Sequence, residues 1–130
     1  MREGISLDEL MFFEERKEIL PVYLALRSAV LERCGPAEIQ VKKTQISFKN
    51  RHLFGAASFL PVKREFRPSG AYLTVTFGLS HPVTGPRIAA AVEAYPGRWT
   101  HHVAVGGVEA VDEELLSWLQ EAAAFSMMKK

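Results

Sequence analysis

The chain contains one cysteine, Cys34, in 130 residues. A single thiol excludes an intrachain disulfide and every multi-cysteine metal site. No apolar run approaches the roughly 20 residues that a membrane-spanning helix needs. The stretch from Met1 to Glu9 lacks the apolar core of a secretory leader. A Gly-x-Ser-x-Gly elbow is absent. Gly106-Gly107 has neither the spacing of a phosphate loop nor a following Lys-Ser/Thr. No repeat or low-complexity segment is present. These absences lead us to expect a soluble, cytoplasmic chain with no resident cofactor and no metal.

Apolar residues make up 48% of the chain and charged residues 24%, values typical of a globular protein. The length suits one domain over residues 1–130, since two halves would each have too small a core. Net charge is only +1, but it is unevenly spread. Residues 1–37 carry a balance of −2, residues 38–105 a balance of +6, and residues 106–130 a balance of −3. The basic middle is densest from Lys42 to Arg67. It suits an anionic partner, or else a solvated sheet face whose lysines guard edge strands.

Ser6-Leu7-Asp8-Glu9 reads as a capping box opening a first helix, with Leu7, Leu10, Met11 and Glu14 at helical spacing. Pro21 suits the first turn of a second helix. That helix runs to Cys34, with Val22, Leu26, Ala29, Val30 and Arg33 on one face, and Gly35-Pro36 stops it. The period then changes to two. Ile39 and Val41 mark one strand and Ile46 and Phe48 the next, with a turn near Lys43-Thr44. Leu53 to Leu60 is apolar on both faces and predicts a covered central strand. Its Gly55, Ala56 and Ala57 leave room for a bulky neighbour. Leu73, Val75 and Phe77 alternate with Tyr72, Thr74 and Thr76. Ile88, Val92 and Tyr95 suggest a short helix. Trp99 to Val105 is a further strand, and a last helix begins near Asp112 with Leu115, Trp118, Leu119 and Ala122 buried. The fold class is therefore α+β: an antiparallel sheet of about five strands with N- and C-terminal helices on one face.

Two stretches carry a resemblance, Val41-Lys42-Lys43-Thr44-Gln45-Ile46-Ser47-Phe48-Lys49 and Tyr95-Pro96-Gly97-Arg98-Trp99-Thr100-His101-His102. With Tyr23 to Val30 and Asp112 to Leu119, they resemble a bacterial family known only as a domain of unknown function. The chain is similar, more distantly, to YdhG-like domains, which implies a helix–sheet–helix layout. The resemblance implies no activity.

Candidate chemistry is sparse. His101 and His102 are adjacent, so on a strand they face opposite ways and cannot hold one ion. His101 shares a face with Trp99 and Val103, as a core histidine does. His102 lies on the other face, where it can meet His52 or a carboxylate. Cys34 ends a helix, where the negative dipole end disfavours a thiolate. No catalytic residue is assigned. The candidate ligand-binding set is Lys43, Gln45, Ser47, Lys49, Arg51, Arg98 and His102. Gln45, Ser47 and Lys49 share one strand face by parity. Lys43, Arg51 and Arg98 add positive charge, and Arg98 offers a planar fork for carboxylate or phosphate.

These residues favour a non-catalytic binding or accessory module for an anionic small molecule or nucleic acid. The alternative is a protein-interaction or homodimerisation domain, pairing through a strand edge or the Met11-Phe12-Phe13 patch. A small histidine-dependent enzyme ranks third.

Overall fold

The computed structural model describes residues 4–129. Three α-helices and six strands follow in the order α1 (Leu7–Phe12), α2 (Leu20–Arg33), β1 (Glu38–Val41), β2 (Gln45–Lys49), β3 (Leu53–Ser58), β4 (Leu73–Leu79), β5 (Ile88–Tyr95), β6 (Arg98–Val105) and α3 (Glu113–Met128). The strands form one antiparallel sheet ordered β1-β2-β3-β4-β6-β5. The architecture is α+β, with one strand more than the sequence predicts.

That extra strand is β5. The short helix expected around Ile88, Val92 and Tyr95 does not form. The segment pairs instead with β6 along its length. Pro96 and Gly97 close the two-residue turn between them, with Gly97 at φ +83°. Hairpin pairing outweighs the helix preference of an alanine-rich segment.

Register divides the sheet into two faces. One rung crosses the helix side through Ile39, Phe48, Gly55, Phe77, His101 and Ala91. The next carries Val41, Ile46, Ala57, Val75, Val103 and Ile88. α3 lies across β3 and β4 and also packs on α2. Leu115, Leu119 and Ala122 of α3 are fully buried against this face, and Trp118 stacks on Phe77 with centroids 5.6 Å apart. Each fully buried apolar side chain of this kind contributes about 1.5–3 kcal/mol. Gly55 provides the expected room. A Cβ there would sit 3.2 Å from Leu119 Cδ2 and 3.3 Å from the Thr76 carbonyl oxygen.

α1 is turned opposite to what its apolar spacing suggests. Leu7, Leu10 and Met11 are exposed, and the buried residue is Glu9. The capping box forms: Ser6 Oγ accepts from the Glu9 amide, and the Ser6 amide donates to Glu9 Oε1. Glu9 Oε2 then reaches α2, accepting from Arg27 Nε at 2.7 Å and from the Tyr23 hydroxyl. α1 thus turns inward the one carboxylate that α2 can pair, and removing either partner would leave a buried charge unmatched. The Met11-Phe12-Phe13 patch is accordingly divided. Phe13 is buried beside Tyr23, Phe12 stacks on Phe59 at 5.2 Å, and Met11 stays exposed.

Candidate functional site

The face of the sheet away from α2 and α3 is polar. One rung runs through Gln40, Ser47, Ala56, Thr76, His102 and Ala90. A neighbouring rung carries Gln45, Ser58, Thr74 and Ala104. Small side chains keep this floor low. Met11, Phe12, Phe59 and Leu60 add apolar lining, and Lys43 and Thr44 of the β1–β2 turn complete it. Together they enclose a cleft of about 830 Å³, floored by Gln45, Ser58, Thr76, Thr100 and His102. Such a volume lies within the roughly 300–1,000 Å³ common for small-molecule sites.

The cleft is held in shape by its own contacts. Arg16 places its guanidinium 4.6 Å from the Phe59 ring centroid, and Phe12 stacks on the same ring. Thr74 Oγ1 donates to the Leu60 carbonyl at 2.5 Å, and the Leu60 amide donates to Ser58 Oγ at 3.2 Å. His102 Nδ1 lies 2.8 Å from Thr76 Oγ1, so one side of its ring is engaged. Burial lowers the His102 pKa, which favours a neutral imidazole. Gln45 Nε2 donates to Ser47 Oγ at 2.8 Å, leaving the Gln45 carbonyl oxygen to accept. Ser58 and Thr100 each accept one hydrogen bond, so each hydroxyl retains a proton to donate. The cleft therefore offers hydroxyl donors, an amide acceptor, a neutral imidazole and one ammonium, that of Lys43.

The candidate residues from the sequence separate into groups. Lys43, Gln45 and His102 line the cleft. Ser47 is fully buried and accepts from the Gln45 side chain. Arg98 lies on Gly78, where an added Cβ would come within 2.5 Å of its guanidinium, and it donates to Thr100 Oγ1 at 2.5 Å. Arg98 thus supports the edge of the cleft through Thr100. Lys49 and Arg51 line a separate groove with α3. Lys49 ends β2 directly opposite Glu38 of β1, beyond the reach of the cleft, and the extra residue that shifts the β2–β3 register there is Phe54 of β3.

His102 does not meet His52. The His52 amide donates to Ser126 Oγ at 2.9 Å, which ties that turn to α3. His101 is a core histidine, stacked on Phe77 at 4.9 Å. Its Nε2 accepts from the Val83 amide at 3.0 Å, so the neutral ring carries its proton on Nδ1. Burial lowers its pKa, outweighing backbone contacts at Phe77 and Trp99. Burial raises the thiol of Cys34, the C-cap residue of α2, to about 11. Among the described residues, no group of three His, Cys, Asp or Glu side chains is arranged to hold a metal. No helix among them is long and apolar enough to cross a membrane.

Thr76, Ser58 and Thr100 were not singled out from the sequence. Thr76 has a visible signal, since Thr74 and Thr76 alternate against Leu73, Val75 and Phe77. Their meeting with Gln45 and His102 depends on strand order, which local spacing does not reveal.

Comparison with curated proteins and with solved structures returns no match to this chain. A family model described as a domain of unknown function, DUF5655, matches residues 11–126, from the exposed Met11 of α1 to the Ser126 that anchors the β2–β3 turn, and the chain belongs to that family.

Proposed function

We propose that this domain is a non-catalytic binding module that takes a small organic anion in the cleft on the polar face of the sheet. The observation that carries this reading is the meeting of Lys43, Gln45 and His102 over a floor of small hydroxyl side chains. An anionic group pairs with Lys43, while hydroxyl or amide groups of the same ligand meet Gln45, Ser58 and Thr100. Met11, Phe12, Phe59 and Leu60 accept its apolar part. A small anion is favoured over a nucleic acid because the basic residues do not form one track: Lys43 precedes β2, whereas Lys49 and Arg51 line the groove beside α3.

Thermal-shift measurements with a panel of small carboxylates and phosphate esters test the proposal. At least one compound is expected to raise Tm in a saturable way, with the shift lost in Lys43→Ala and His102→Ala. A panel with no shifts, or shifts unaltered in both variants, overturns it. Fluorescence anisotropy with labelled oligonucleotides at low and physiological salt is expected to show no steep salt-dependent binding.

A second reading is supported by Leu7, Leu10 and Met11, which are 70%, 42% and 56% exposed on one short helix. An apolar patch of this kind suits pairing with a second copy. Sedimentation at several concentrations distinguishes the readings. A mass that doubles with concentration, and returns to monomer in Leu10→Glu, supports the interaction module.

A further inference from the structure

The groove that receives Lys49 and Arg51 has a different chemistry from the sheet-face cleft. It encloses about 680 Å³ between the C-terminal ends of α2 and α3 and the paired strands β1 and β2. Ala37, Ala123, Ala124 and Met127 provide an apolar lining with no aromatic ring. A nucleobase would find nothing to stack on there. Met127 is flexible and 55% exposed, so it can follow the shape of an alkyl chain.

The groove is built rather than incidental. Asn50 Nδ2 donates to the Ala123 carbonyl at 3.0 Å, and the His52 amide is held by Ser126 Oγ. These bonds pin the turn bearing Arg51 to α3. At the other wall, Arg33 donates to both Glu113 carboxylate oxygens at 2.6 and 2.8 Å, and to Gln120 Oε1 at 3.0 Å. Arg33 is thereby neutralised, whereas Lys49 and Arg51 have no ion-pair partner among the described residues. Glu38 is the one acidic residue lining the groove, so its charge remains positive at the end formed by the turn.

We propose that this groove is a second ligand site, specific for an amphiphilic carboxylate. An unbranched acyl chain lies along Ala123, Ala124 and Met127, and its carboxylate meets Lys49 and Arg51. Charge complementarity selects the anion, and the ring-free apolar lining selects the alkyl chain over an aromatic or sugar body.

Decanoate, titrated below its micelle concentration and followed by amide ¹H–¹⁵N spectra, provides the test. Saturable shifts are expected at Lys49, Ala123, Ala124 and Met127, with decanol binding at least tenfold more weakly. Lys49→Ala with Arg51→Ala is expected to weaken decanoate at least tenfold while the spectrum stays dispersed. Ala124→Trp, which fills the groove without altering charge, is expected to abolish the shifts and decides the matter if the double variant does not fold. Absence of saturation, shifts confined to Thr76 and His102, equal affinity for decanol, or wild-type binding by Ala124→Trp would each overturn the proposal. Shifts at Thr76 and His102 report on the sheet-face cleft, so the two sites are told apart in the same spectra.

Discussion

Arg27 Nε donates to Glu9 Oε2 at 2.7 Å in the interior, where Glu9 is 2% and Arg27 7% exposed. This contact, shared with the Tyr23 hydroxyl, fastens α1 to α2. Burial alone would raise the Glu9 pKa. The hydrogen bonds from Tyr23 and Arg27 outweigh it, and the carboxyl is held below its usual range. Burial and the neighbouring Glu9 push the Tyr23 hydroxyl far upward, so it remains a donor.

Removing one partner leaves a buried charge without its match. Glu9→Ala is expected to destabilise the fold by about 3–5 kcal/mol. Replacing both charges, as Glu9→Leu with Arg27→Met, is expected to recover much of that loss. Urea unfolding of the wild type and the two variants measures both effects. A loss under about 1 kcal/mol in Glu9→Ala would show that the cluster is not structural.

Stability is expected to fall as pH drops below neutrality. His101 and His102 both have pKa values lowered by burial. The unfolded chain therefore takes up protons near pH 6.5 that the folded chain refuses. Their contribution is complete above about pH 6.5 and is lost as pH falls toward the folded values, by up to about 1.4 kcal/mol per pH unit for each proton. His81 acts in the opposite sense: its hydrogen bond to Glu121 raises its pKa, so its contribution is present at low pH and lost as pH rises. It is about half exposed and largely screened. Urea midpoints are expected to fall as pH drops below about 6.5 in the wild type and in His81→Gln alike, whereas above about pH 6.5 the small loss with rising pH that belongs to His81 is expected to vanish in His81→Gln. Below about pH 4.5, protonation of Glu9 is expected to remove further stability.

Gly55→Ala is expected to cost about 1–3 kcal/mol through overpacking. The new Cβ meets Leu119 Cδ2 at 3.2 Å and the Thr76 carbonyl oxygen at 3.3 Å, and the latter is backbone that cannot swing away. Leu119→Ala is expected to relieve part of this, giving a non-additive double-mutant cycle by thermal unfolding. Additive losses would separate the two positions.

The Cys34 thiol, raised to about 11 by burial, should resist alkylation. At pH 8 its thiolate fraction is about two orders of magnitude below that of a free thiol with a pKa of about 8.5. Reaction with a disulfide reagent in the folded protein is expected to be slower by at least that factor than in urea. Equal rates would place the thiol in an open, unperturbed setting.

Local pattern is enough to place the three α-helices and five of the six strands among the described residues. The Ser6-Glu9 box and the Gly35-Pro36 stop encode local hydrogen bonding and backbone geometry. The alternation at Leu73, Val75 and Phe77 encodes a two-faced strand. His101 was legible as a core residue for the same reason, since parity alone assigns its face. Tertiary structure decided the rest. Pairing with β6 made residues 88–95 a strand against their helix preference. Glu9 of α1 found its partners in Tyr23 and Arg27 of α2, and the leucines of α1 face solvent. The position of Lys49 at the end of β2 placed it in the groove beside α3 rather than in the cleft with Gln45, and strand order brought Thr76 beside His102. Local periodicity reports which face a side chain occupies. Which strands become neighbours, and where a buried charge finds its partner, are set by contacts between segments distant in the chain, and both the cleft and the groove are built from those contacts.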